Sequence, residues 1–181
     1  MGRVSQEQAA ENRAKVVAAA ASLIRRKGLG GMGIAELMAE AGLTHGGFYA
    51  QFGSKDALAG EACTHAFDTA GRAWEAAGRG DPAGRLHRMT AFYFEPKPPG
   101  QDCPMAALAG DVARGPAGGP LRRAFTDGLR RLVALVGGET PDDHALAVTA
   151  AMVGAAVLRR ASDDAALADA MDAAVLRLAG S

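Results

Sequence analysis

Apolar positions recur along this chain at spacings of three and four, and β-branched residues form no alternating, strand-like run. A first helix is predicted from Glu7 to Lys27, with Val16, Ala20, Leu23, Ile24 and Lys27 on one side. Ile34, Leu37, Met38 and Ala41 mark a second, and Phe48 and Phe52, four apart, anchor a short third. A long helix follows from about Lys55 to Gly78, then helices ending near Phe94 and near Arg114. Leu121, Phe125, Leu129, Leu132 and Val136 give Pro120–Val136 one apolar face. The next helix reaches about Arg160, and Leu167, Met171, Ala174, Val175 and Leu178 define the last. The pattern predicts an all-α protein of about nine helices, three at the N-terminus and six beyond.

Glycine, proline and capping residues punctuate these helices. Gly28 stops the first helix, and Arg25, Arg26 and Lys27 suit the negative end of its dipole. Gly42 supplies the left-handed residue that ends the second helix. Thr44 offers a capping hydroxyl to the third helix, and Ser54 one to the fourth. Asp81-Pro82, Cys103-Pro104 and Thr140-Pro141 each read as a cap followed by a first-turn proline. Glu95–Asp102, with three prolines, and Gly115–Gly119 are loops. Helix, glycine turn and short second helix over Ile34–Leu58 suit a helix-turn-helix, whose second helix enters the DNA major groove.

That segment resembles the DNA-binding domain of TetR/AcrR-type transcriptional repressors. The matching residues are Leu37-Met38, Ala41-Gly42-Leu43-Thr44, Gly47, Phe48-Tyr49, Gln51-Phe52 and Lys55. The resemblance implies a DNA-binding domain over 1–54 and an effector-binding and dimerisation domain over 55–181. It implies phosphate contacts from Tyr49 and Lys55, and Gln51 stands where the family usually has histidine. Met32 and Gly33 stand where the family carries a Thr or Ser cap. Thr44, His45 and Gly46 open the recognition helix, where base edges are nearest. His45 has two readings, a base or phosphate contact and a half-exposed histidine of the capping turn. Gly46 and Gly47 either admit the DNA backbone closely or simply allow the tight turn.

Charge adds little to this picture. The 181 residues carry 20 basic and 20 acidic side chains, so net charge announces no nucleic-acid partner. Residues 1–55 hold seven Lys/Arg against four Glu, a local positive excess in keeping with a DNA-binding end. The composition is 49% hydrophobic, rich in alanine, and 5% aromatic. The polar N-terminus has no signal-peptide pattern, and Ala145–Leu158 is too short to span a membrane. Cys63 and Cys103 make no disulfide pattern, so a cytoplasmic protein without a membrane partner is expected. The four histidines have no metal-ligand spacing, and no nucleophile elbow, phosphate loop or dinucleotide fingerprint occurs. No enzyme, metal or cofactor is expected.

Three features carry the C-terminal reading. Ala150, Ala151, Gly154 and Ala155 lie among Met152, Val153, Val157 and Leu158, a helix apolar around much of its circumference. Such a helix needs cover on more than one side, which a homodimer through the last two helices supplies. Phe67, Trp74, Met89, Phe92, Tyr93, Met105 and Phe125 form either plain core or the lining of a small-molecule inducer site. Cys103 sits beside the helix start opened by Pro104, where the dipole favours thiolate, while Asp102 opposes it. Asp102–Leu108 also resembles a cysteine-proline segment of the TetR-like branch related to NemR, which contains electrophile and oxidant sensors. The expectation is a homodimeric repressor bound to palindromic double-stranded operator DNA. A small apolar effector or modification of the Cys103 thiol releases it. The alternative is a helical scaffold or ligand-binding protein of the same fold without specific DNA recognition.

Overall fold

A computed structural model describes residues 6–44, 48–138 and 140–180. Among these residues there are helices and turns and no strand. The α-helices are α1 (Gln6–Gly31), α2 (Ile34–Glu40), α3 (Phe48–Phe52), α4 (Lys55–Ala77), α5 (Arg85–Phe94), α6 (Pro104–Arg114), α7 (Pro120–Gly137), α8 (Asp143–Ala161) and α9 (Ala165–Ala179). The all-α expectation holds. No helix of the described residues is long and apolar enough to cross a membrane.

The chain divides into two compact units. The first runs to Phe67 and adds Pro99–Thr126; the second takes Asp68–Pro98 and the chain from Asp127. In the first unit α1 packs on α6 and α2. Val16, Ala20, Leu23 and Ile24 of α1 are buried, as the spacing predicts. Lys27, placed on that face by spacing alone, instead turns outward to Glu36. Gly28 does break α1, at φ 72° and ψ 172°, but a further helical turn follows to Gly31.

In the second unit α8 and α9, joined by three residues, pack as a hairpin, with α5 against both. Each helix of the hairpin carries two apolar stripes. Ala145, Val148, Met152 and Ala155 of α8 and Ala168, Val175 and Ala179 of α9 are buried within the unit. Leu146, Val157, Leu158, Leu167 and Leu178 are exposed. A Cβ placed on Gly154 meets nothing within 4 Å, so the outer side of α8 is open there.

Most helix starts follow the expected chemistry. Asp81 caps a 3-10 turn, Pro82–Gly84, that leads into α5, and the Asp164 carboxylate accepts from the Leu167 N–H at 2.9 Å. The start of α8 differs. Its cap is Asp142 and not Thr140: the Asp142 carboxylate accepts from the Ala145 N–H at 2.8 Å. Pro141 therefore lies outside the helix.

Candidate nucleic-acid interface

The helix-turn-helix begins with a short helix closed by backbone geometry. Gly42 takes φ 70°, which no side-chain-bearing residue adopts cheaply. This lets the Leu43 N–H donate to Met38 O at 2.8 Å and the Gly42 N–H to Ala39 O at 3.0 Å. The pair is a Schellman closure, satisfying two carbonyls that the helix end leaves open. At its other end α2 starts at Gly33, which makes no side-chain cap. The glycine that replaces the expected Thr or Ser leaves that end capped by backbone alone.

Helix α3 is held by its aromatic side. Phe48 is fully buried, its ring centroid 5.7 Å from that of Phe52. Tyr49 stands edge-on to Phe48 at 5.1 Å yet is 63% exposed. Its hydroxyl end therefore faces outward from a ring fixed at its base. Gln51 is half-buried, and its buried Oε1 has no hydrogen-bond partner among the described residues. It is less available to a ligand than its position on α3 suggests, because three residues after Phe48 it shares part of the inward side.

Thr44 is exposed at the end of the turn. His45 and Gly46, the other two residues expected at base edges, lie outside the described residues, as does Gly47. Ser54 caps α4 as expected, its Oγ accepting from the Ala57 N–H at 3.0 Å. Lys55, the first residue of α4, is half-buried and lines a cleft of about 400 Å³ with Leu29, Gly30, Asp56, Asp111, Arg114 and Gly115.

One tie in this unit escapes sequence reasoning. Arg13 of α1 forms a two-pronged ion pair with Glu61 of α4, one contact being 2.7 Å, and its guanidinium stands 4.7 Å from the Phe52 ring centroid. Its hydrogen bond to Glu61 raises the Arg13 pKa above the ordinary value. One side chain thus joins α1, α3 and α4. The partners are 48 residues apart, and no local pattern pairs them.

The seven candidate effector residues fall in both units. In the first, Phe67 and Phe125 meet edge-to-face at 5.9 Å, and Met105 is buried. In the second, Trp74 and Tyr93 lie 6.1 Å apart, Met89 is buried, and Phe92 is half-buried beneath the Lys97 ammonium at 3.7 Å. Cys103 is the N-cap residue of α6, half-buried and making no side-chain cap. Arg25 is buried nearby, donating from Nε to Ala21 O at 2.8 Å and from a terminal nitrogen to Asp102 O at 3.4 Å. Burial lowers its pKa, and the attraction of Asp102 and Cys103 opposes that shift. Cys63 is fully buried in α4.

Comparison with known proteins gives two family matches. Residues 16–62 match the model described as "Bacterial regulatory proteins, tetR family". Residues 83–181 match "Tetracyclin repressor-like, C-terminal domain". No curated protein matches the chain. Among solved structures, it is similar to a TetR transcriptional regulator from Chloroflexus aurantiacus, with 25% identity and TM-score 0.76 over 95% of this chain and 96% of that one. A TetR-family regulator from Cytophaga hutchinsonii gives 19% identity and TM-score 0.77 over 98% and 96%. The reduced form of E. coli NemR gives 21% identity and TM-score 0.72 over 91% and 94%.

Proposed function

Since the chain belongs to the TetR family of helix-turn-helix DNA-binding regulators, we propose that it is a homodimeric repressor of a palindromic operator, released by a small effector. Residues 1–54 read DNA, and residues 55–181 sense and dimerise. The observation that carries this reading is α3, whose buried Phe48 and Phe52 leave Tyr49 outward beside the Ser54-capped start of α4 with Lys55. A lysine at a helix N-terminus adds its charge to N–H groups directed outward, an arrangement suited to phosphate. Thr44, His45 and Gly46 meet base edges, while Tyr49 and Lys55 hold the backbone on either side.

One recognition helix covers too few base pairs to discriminate well, so two copies are needed. The exposed apolar stripes of α8 and α9 support a homodimer through these two helices. A small apolar compound held by Phe67, Met105 and Phe125 of the first unit or by Trp74, Met89, Phe92 and Tyr93 of the second, or modification of Cys103, favours a conformation whose half-site spacing no longer fits the operator. The protein works in the cytoplasm.

The test is binding to fragments of the intergenic DNA upstream of its own gene, compared with Tyr49→Ala and Lys55→Ala. The expected result is a preferred fragment and roughly a tenfold loss in each variant, in line with loss of one phosphate contact. Equal affinity for every fragment, unchanged in both variants, supports the second reading, a helical ligand-binding protein without specific DNA recognition. Gly33, an N-cap residue without a side chain to cap α2, and the inward Gln51 amide favour that alternative.

A further inference from the structure

The joint between α1 and the helix-turn-helix is tied to a carboxylate on α6. Beyond the break at Gly28, the Leu29 N–H donates to Oδ2 of Asp111 at 2.7 Å. The approach is close: a Cβ on Gly28 would stand 2.9 Å from the same oxygen. The other oxygen, Oδ1, accepts from Arg114 at 3.2 Å, and that arginine is mostly exposed. Three residues after Leu29, Met32 is buried, and Gly33 then opens α2. The bond therefore anchors the chain one short turn before the helix-turn-helix departs.

Helix α6 bears Cys103 at its N-cap and Met105 in its first turn, the residues assigned to sensing above. Asp111 lies in its last turn. Sensing residues at one end of a rigid helix and an anchoring carboxylate at the other make a lever. We infer that Asp111 is a positioning residue for DNA recognition. Its carboxylate fixes the joint from which α2 and α3 are carried, and displacement of α6 loosens it. The inference rests on the reading of this protein as an operator-binding regulator. A carboxylate accepting from a backbone N–H is among the stronger hydrogen bonds, and loss of one partner leaves a half-buried group unmatched.

The test compares the full chain with Asp111→Asn, which keeps an acceptor oxygen, and Asp111→Ala, which removes it. Asp111→Ser, too short to reach Leu29, is used in the same way if the alanine variant does not fold. Amide hydrogen exchange over residues 29–32, without DNA, is expected to accelerate roughly tenfold or more in the alanine variant and to stay near wild type in the asparagine variant. Operator fragments with altered half-site spacing give the second readout. Alanine is expected to flatten the spacing preference while affinity for a single half-site is unchanged, and asparagine to retain the preference. Unchanged exchange in the alanine variant overturns the inference. So does faster exchange with an intact spacing preference, which leaves Asp111 a structural tie only. Wild-type protein that prefers no fragment removes the DNA reading itself, a result distinct from either.

Discussion

Arg25, Arg26 and Lys27 stand side by side in the sequence and meet three different environments. Arg25 is buried and donates to two main-chain carbonyls, one in α1 and one just before α6. Arg26 makes two contacts to Glu40 at 2.7 and 2.8 Å, and Lys27 one to Glu36 at 2.6 Å, both pairs part-exposed. Truncating the buried arginine removes packing along its stem and leaves carbonyls poorly matched. Arg25→Ala is expected to cost about 2 kcal/mol, or about 6 °C in thermal midpoint. Arg26→Ala and Lys27→Ala should each cost less than about 1 kcal/mol, the usual range for exposed pairs. Thermal unfolding of the three variants decides the matter; equal effects would refute the distinct role given to Arg25. Spacing could not separate these residues, since all three suit a helix C-terminus. What separates them is contact with the Asp102 carbonyl just before α6, 77 residues away.

Helix termini were the most legible elements, because the chemistry that ends a helix is local. Gly28, Gly42, Ser54, Asp81 and Pro104 all act where the sequence places them. The start of α8 differs from the expectation because Thr140-Pro141 and Asp142-Asp143 offer two overlapping signals. Asp142 prevails, its extended backbone and carboxylate meeting the Ala145 N–H. Asp142→Ala is expected to lower stability by about 1 kcal/mol and Thr140→Ala by only a few tenths at most. Denaturant midpoints of the two variants test this, and a larger effect at Thr140 would restore it as the cap. Phe48 and Phe52 as anchors of α3 were likewise readable from a spacing of four. The Arg13–Glu61 pair and the inward Gln51 amide were not, since both depend on how α3 and α4 pack.

At the scale of the molecule, the decisive surface is the outer stripe of the α8–α9 hairpin. On α9, Leu167, Met171, Ala174 and Leu178 each precede a member of the buried set, Ala168, Asp172, Val175 and Ala179, by one residue. The periodicity revealed an apolar helix but could not tell the covered stripe from the open one. Distance alone makes that distinction. The pair Leu158→Glu and Leu167→Glu puts two carboxylates on this surface and is expected to convert the proposed dimer to a monomer at micromolar concentration. Sedimentation measures it; a variant that stays dimeric would move the interface elsewhere. The arrangement of the aromatic candidates was not legible in the sequence. Sequence could not divide them into the Phe67–Phe125 and Trp74–Tyr93 contacts of separate units.

The ion pairs of the first unit bear on how the regulator treats DNA that is not its target. Arg13, Arg26 and Lys27 already hold Glu61, Glu40 and Glu36, and Arg25 is buried. Four of the seven cations in residues 1–55 are thus engaged within the fold. Phosphate-only association draws its strength from cations that displace the ions condensed on DNA. A reading head with so few to offer gains little from the bulk chromosome, whose backbone is the same everywhere. On the proposed reading, residence on DNA would then lean more on base edges, with these ion pairs holding phosphate-only association down.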